Sequence, residues 1–189
     1  CLLSRGLGDV YKRQSLIFVF LFIIFSCFSQ LENYEKYMPS SSSGEIINHN
    51  YYSLSYLEDH ELAEWTIYFS CKSKLYGEIF PRTNNFRPDP KVKNGSAELI
   101  DYMGSGYDRG HMVPASDMKF SEIAISEVFY MSNMSPQLPE FNRRGWRIFE
   151  QFIREMTIKY DSLIIITGST ILDQSKYTDL KTIGPNEIT

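Results

Sequence analysis

Asp108-Arg109-Gly110-His111-Met112-Val113-Pro114-Ala115 is the stretch on which the reading of this chain turns. A histidine stands one glycine away from an arginine, and Asn133, Asn142 and Glu150 follow within forty residues. A neutral imidazole can take a proton from water near pH 7. A guanidinium grips phosphate, and carboxamide and carboxylate oxygens suit a hard divalent cation. The ordered set therefore has the parts for hydrolysing a phosphodiester.

Each member also has a plainer use. Asn142 stands where an amphipathic helix begins, with Trp146, Phe149, Phe152, Ile153 and Met156 spaced to share one apolar face, so it could be a helix cap. Glu150, eight residues on, is about 12 Å further along that helix. It lies beside the apolar stripe, which favours contact with a shared ion through a metal-bound water. On its own it reads as a solvated helix glutamate. Asn133 closes Val128–Met131, read as a strand, and could cap a turn or supply a hydrogen bond that fixes the base or the phosphate. His49 and His60 lie in aromatic and acidic contexts and read as structural.

Composition narrows the choices. Cys1–Gln14 reads as sequencing-adapter sequence and is set aside. Ser15–Ser29 reads as a signal peptide: an uncharged apolar run, shorter than the roughly 20 residues of a membrane span, ending with Cys27 and Ser29 at the −3 and −1 positions. The expectation is an exported protein, secreted or periplasmic, with no stable membrane association after cleavage. Residues 30–44, with the run Pro39-Ser40-Ser41-Ser42-Ser43-Gly44, read as a flexible linker, and residues 45–189 as one domain with its C-terminal part missing. From Gln30 onward, 16 basic face 22 acidic side chains, a net charge of −6. A protein that holds nucleic acid on a broad basic surface is excluded. Cys71 is the single cysteine after the leader, so neither an intrachain disulfide nor a Cys/His zinc framework is available there.

Tyr51–Tyr56 and Trp65–Cys71 read as strands, Arg82–Pro90 as a loop, Leu99–Met103 as a short strand or helix end, and Ser162–Thr167 as a buried strand closed by Gly168. Strands, then a helix, then a strand predict an α+β domain.

The segments Asp108–Ala115, Tyr130-Met131-Ser132-Asn133-Met134-Ser135-Pro136-Gln137, and Asn142-Arg143-Arg144-Gly145-Trp146 with Glu150 resemble the DNA/RNA non-specific endonucleases, a family that includes endonuclease G. The likeness runs from about Tyr51 to Gly168. It implies the ββα-metal (His-Me finger) fold, with a central antiparallel sheet flanked by helices. It also implies a Mg²⁺-dependent enzyme, with Mn²⁺ as a substitute, that cuts DNA and RNA to leave 5′-phosphate ends. By the same resemblance His111 is the general base, Asn142 the direct metal ligand and Glu150 the orienter of metal-bound water. Arg109 and Asn133 complete the phosphate site. Arg82, ahead of Phe86 and Asp89-Pro90, matches an upstream family arginine, and Arg143 and Arg144 are placed to touch the nucleic-acid backbone. A homodimer is compatible with the family. A catalytically inactive binding protein of the same fold is the alternative, and a zinc hydrolase of another class is disfavoured by three scattered histidines.

Overall fold

A computed structural model describes residues 34–41 and 44–169. The chain divides into two compact units, Cys1–Met38 and Pro39–Thr189. The described part of the first holds a 3₁₀ turn, Glu35–Tyr37. The adapter-like and signal segments lie outside the described residues.

In the second unit, β1 (Glu45–Asn48), β2 (Tyr52–Leu57), β3 (Leu62–Cys71) and β6 (Ser162–Gly168) form an antiparallel sheet in the order β1-β2-β3-β6. Two further strands, β4 (Asp108–His111) and β5 (Met134–Gln137), pair antiparallel on their own. The helices are short α1 (Lys72–Leu75), α2 (Glu122–Glu127) and long α3 (Arg147–Tyr160), the last entered through a π turn, Phe141–Trp146. The architecture is the expected α+β. Among the described residues no helix is long and apolar enough to cross a membrane.

Alternation explains the main sheet. Tyr52, Leu54 and Tyr56 of β2 and Tyr68 of β3 point one way. They bury with Ile47, Met112, Val113, Ile125 and Phe129 in the largest core cluster, against which Ile165 packs. The aromatic and β-branched composition of β2 and β3 suits this pleated, enclosed surface. The β2–β3 connection is tight: Glu58–His60 makes a 3₁₀ turn, and Glu61 takes a left-handed conformation to re-enter the sheet.

A buried polar knot ties the start of this sheet to the segment before β4. His49 stacks between Tyr52 and Tyr130, at 4.6 and 5.2 Å between ring centroids. Its Nε2 lies 2.9 Å from Asp89 Oδ2, which also accepts a 2.5 Å bond from Ser132 Oγ. Burial pushes the Asp89 carboxyl up, but the bonds from His49 and Ser132 outweigh it and hold the group below the ordinary carboxylate range. The structural reading of His49 fits this placement.

Several expectations change. Val128–Met131 is not a strand: Val128 caps α2 and Met131–Asn133 is a 3₁₀ turn, so the strand begins only at Met134. A single bridge, Arg87 to Tyr130, is all the pairing this stretch makes. Leu99–Met103 forms turns. The linker is not free where it is described: Ser41 Oγ accepts from Gly44 N and meets Ser55 Oγ, both at 2.8 Å, which pins it to β2. Strand β6 is half exposed, with Ile164 and Ile166 open, because it has a partner on one side only among the described strands. Phe149 and Phe152 of α3 are also half exposed, and among the described residues of that helix only Thr157 is buried. Periodicity identifies which residues share a face and cannot say what covers it.

Removing the shared acceptor of the polar knot should be costly. Asp89→Ala strands His49 Nε2 and Ser132 Oγ in a dry interior, and urea unfolding at pH 7 should show a loss of about 3 kcal/mol.

Candidate active site

The site is built where β4 and β5 meet the helix that follows. The register pairs Asp108 with Gln137, Arg109 with Pro136, Gly110 with Ser135, and His111 with Met134. Since a strand alternates its side chains, Arg109 and His111 share one face, and Asp108 and Gly110 share the other. Gly110 is required by space: a Cβ there would collide with the Gln137 side chain. The helix is pinned to this strand at two points. Trp146 Nε1 donates to the His111 carbonyl at 3.1 Å, and Asn142 Nδ2 donates to Asp108 Oδ2 at 2.9 Å.

Asp108 therefore sets the orientation of Asn142. An ionised carboxylate only accepts hydrogen bonds, so the amide nitrogen must face it. The carboxamide oxygen accepts no bond among the described residues and is left for a cation. Arg143 closes a two-pronged pair on the same carboxylate, at 2.7 and 2.8 Å, and this pairing holds the Asp108 carboxyl below its ordinary range. Among the described residues no group of three or more His, Cys, Asp or Glu is placed to hold a metal. The donor set suits a hard divalent ion that keeps most of its waters, rather than one held in a carboxylate cage.

His111 is 8% exposed, and its Nε2 is buried with no hydrogen-bond partner among the described residues. The ring meets Phe129 edge-on at 4.9 Å and Phe86 at 5.7 Å. Burial, with repulsion from Arg82 and Arg109, pushes the imidazole down to about 3. It is neutral at physiological pH, as a proton acceptor must be. Arg82 and Arg109 thus stand close enough to act on the base. Both line a cavity of about 510 Å³ together with Phe86, Tyr102, Tyr107 and Asn142. A larger cavity, about 840 Å³, is walled by Glu45, Glu58, Asp59 and Glu64; it carries no arginine, and its carboxylates would repel phosphate.

Glu150 projects from the first turn of the helix into a network that motif reading did not find. Burial, then repulsion from Asp117, raises its carboxyl to about 7, against the opposing pull of Arg154 and Arg82. Buried Asp117 accepts from Tyr68 Oη at 2.7 Å and from Arg154 at 3.0 Å. The signal available for Arg154 was its place four residues after Glu150, one turn along the same face. Nothing local marked Asp117, Tyr68, Phe86 or Phe129.

Asn133 departs from part of its expectation. It is fully buried, its Oδ1 accepts from Val113 N at 2.9 Å, and its Nδ2 donates to the carbonyls of Val113 and Val128 at 3.1 and 3.0 Å. Both amide hydrogens are consumed, so no donor is left for a phosphate. The side chain clamps the backbone just after His111, which is the base-fixing half of the expectation. Arg144 pairs with Glu140 at 2.9 Å on an exposed surface, so both Arg143 and Arg144 have carboxylate partners.

With this geometry in view, the chain belongs to the DNA/RNA non-specific endonuclease family, whose profile matches residues 29–189. It is 34% identical over 164 residues to the mitochondrial nuclease EXOG of Xenopus laevis, covering 84% of this chain and 45% of that protein. It is 33% identical over 132 residues to human mitochondrial endonuclease G, covering 67% of this chain and 44% of that protein. A crystal structure of the EndoG/EndoGI complex superposes with a TM-score of 0.72 at 27% identity, covering 85% of this chain and 68% of the other. The fold is thus the ββα-metal nuclease fold, and the chain spans less than half the length of these two curated relatives.

One expectation is overturned. Relatives from frog, human, fission yeast and baker's yeast are named as mitochondrial nucleases, which points away from the secreted or periplasmic assignment. An apolar run reports partition into a nonpolar phase and does not say which compartment's machinery reads it.

Two outcomes follow. Gly110→Ala should destabilise the domain by about 1–3 kcal/mol through overpacking, and adding Gln137→Ala should recover most of the loss in thermal unfolding. The raised carboxyl of Glu150 means the metal-free folded chain holds its proton over a range where the unfolded chain has lost it. The resulting stability is full below the ordinary glutamate range and is lost as pH rises through about 7. In metal-free buffer, Glu150→Gln should therefore unfold at a higher temperature than wild type at pH 8, and the gap should close by pH 4.

Proposed function

We propose that this chain is a Mg²⁺-dependent, sugar-non-specific endonuclease that hydrolyses phosphodiesters of DNA and RNA and leaves 5′-phosphate ends. The observation that carries the reading is a buried, neutral His111 within the field of Arg82 and Arg109, the two arginines that line an open cavity. The nuclease names of the relatives support it.

His111 acts as general base, taking a proton from the water that attacks phosphorus. Its low proton affinity in the free chain stems partly from Arg82 and Arg109. A phosphate seated between those guanidiniums offsets their charge, so the base strengthens when substrate arrives. Arg109 and Arg82 bind the phosphate oxygens and stabilise the charge that builds on them. Asn133 keeps the strand end rigid, so the base stays within reach of its water. Asn142, through its free carboxamide oxygen, and Glu150, through water, would hold the Mg²⁺ (or Mn²⁺), which when bound supplies Lewis-acid polarisation of the phosphate. Arg143 and Arg144 would reach the nucleic-acid backbone only by releasing Asp108 and Glu140, so they are secondary contacts. All of these residues come from one chain, so the chemistry is compatible with a monomer or a homodimer.

The test is cleavage of supercoiled plasmid and of single-stranded RNA with and without Mg²⁺. His111→Ala should lower the rate at least about 100-fold on both substrates while leaving the circular dichroism spectrum unchanged. A His111→Ala protein that cuts at the wild-type rate defeats the assignment of the base. A wild-type chain that binds both polymers and cuts neither would instead be a binding protein of this fold.

A further inference from the structure

The arginines of the cavity wall and those of the adjoining helix are held in two different ways. Arg143, Arg144 and Arg154 are paired with Asp108, Glu140 and Asp117. Arg109 instead lies over the ring of Phe86, 4.4 Å from its centroid, and Arg82 lies over the ring of Phe129 at 4.8 Å. Among the described residues the Arg109 guanidinium makes no hydrogen bond or ion pair, and Arg82 donates only through Nε, to Asn84 at 2.6 Å. The two rings meet edge-on at 4.9 Å, and both also touch the His111 ring.

The difference matters chemically. A carboxylate fixes a guanidinium by neutralising it and occupying its N–H groups. An aromatic face attracts the same cation through its quadrupole, carries no net charge, and leaves the in-plane donors open. Arg87 is the contrasting case: it also lies over a ring, Tyr130 at 4.0 Å, but its donors go to Asn85 O, Ser126 O and Ser126 Oγ. Stacking alone does not leave an arginine open; stacking without acceptors does.

We propose that Phe86 and Phe129 are positioning residues, a two-ring shelf that holds Arg109 and Arg82 beside His111 with their charge unpaired and their terminal donors open, each ring serving its own arginine. The inference rests on the nuclease reading and adds two residues that act through the arginines they support. The shelf also accounts for cationic grip in an acidic chain: two guanidiniums remain open because rings, not carboxylates, support them.

A double-mutant cycle on the full chain tests it, with plasmid cleavage in Mg²⁺ as readout and thermal unfolding as the folding control. Phe86 is the better probe because it is partly exposed, whereas Phe129 is fully buried. Phe86→Leu should lower kcat/KM about tenfold, the size of a cation–π contact, and Phe86→Tyr should restore it to within about twofold. In an Arg109→Ala background Phe86→Leu should cost less than about twofold, whereas in an Arg82→Ala background the tenfold loss should persist. Equal losses in both backgrounds, or failure of Phe86→Tyr to rescue, overturn the shelf while leaving the nuclease reading intact. A wild-type chain with no cleavage overturns that reading and the shelf with it. If Phe86→Leu unfolds, Phe86→Met, which keeps volume without a π face, takes its place with the same expected pattern.

Discussion

The carboxylate of Asp108 is the joint on which this site depends. It belongs to β4, yet its bonds go to Asn142 and Arg143 of the helix entry, so it fastens strand to helix at the point where the chemistry is placed. Because it can only accept, it dictates which end of the Asn142 carboxamide turns outward. It is ionised near neutrality like any aspartate, and the bonds from Arg143 extend that state to lower pH, so the orientation is held there too. Trp146, bonded to the His111 carbonyl, provides the second pin and prevents the helix from pivoting about the first. A strand pair and a helix that share few apolar contacts are thereby held in one geometry.

Charge is distributed with similar economy. The chain is acidic as a whole, and three arginines of the long helix and its entry turn are matched by carboxylates. What remains attractive to phosphate is the pair Arg82 and Arg109, whose field adds to burial in keeping the His111 imidazole neutral. A guanidinium pair of this kind contacts the nucleic-acid backbone, which carries no sequence information, and so accords with the non-specific endonuclease family to which the chain belongs. The acidic walls of the larger cavity steer a polyanion away from that part of the molecule.

The parts of the fold visible in the sequence were those whose cause is local. Strands β2 and β3 follow from dense aromatic and β-branched residues, and the helix after Asn142 from its spacing. The Asp108–His111 segment with its downstream asparagines and glutamate carried the family. What misled was equally local. Val128–Met131 has strand composition, but Ser121 Oγ accepts from Ala124 N and starts α2, which runs through to Val128. Hydrophobicity predicts burial of Ile164 and Ile166 but does not supply enclosure, and among the described strands β6 has a neighbour on one side only.

The sequence by itself determined the inventory and order of the chemistry: a histidine one residue from an arginine, a carboxamide at a helix mouth, a glutamate two turns on, and too few cysteines for any other framework. Tertiary structure alone decided what each of these groups can do. Asn133 became a backbone clamp because two carbonyls and an amide from distant segments converge on it. Glu150 acquired its raised carboxyl because folding buries it and sets Asp117 near it. Arg109 and Arg82 stayed open because the faces they rest on, Phe86 and Phe129, are rings. Identity and spacing are properties of the chain, whereas proton affinity and free donors are properties of the surroundings, and only folding supplies those.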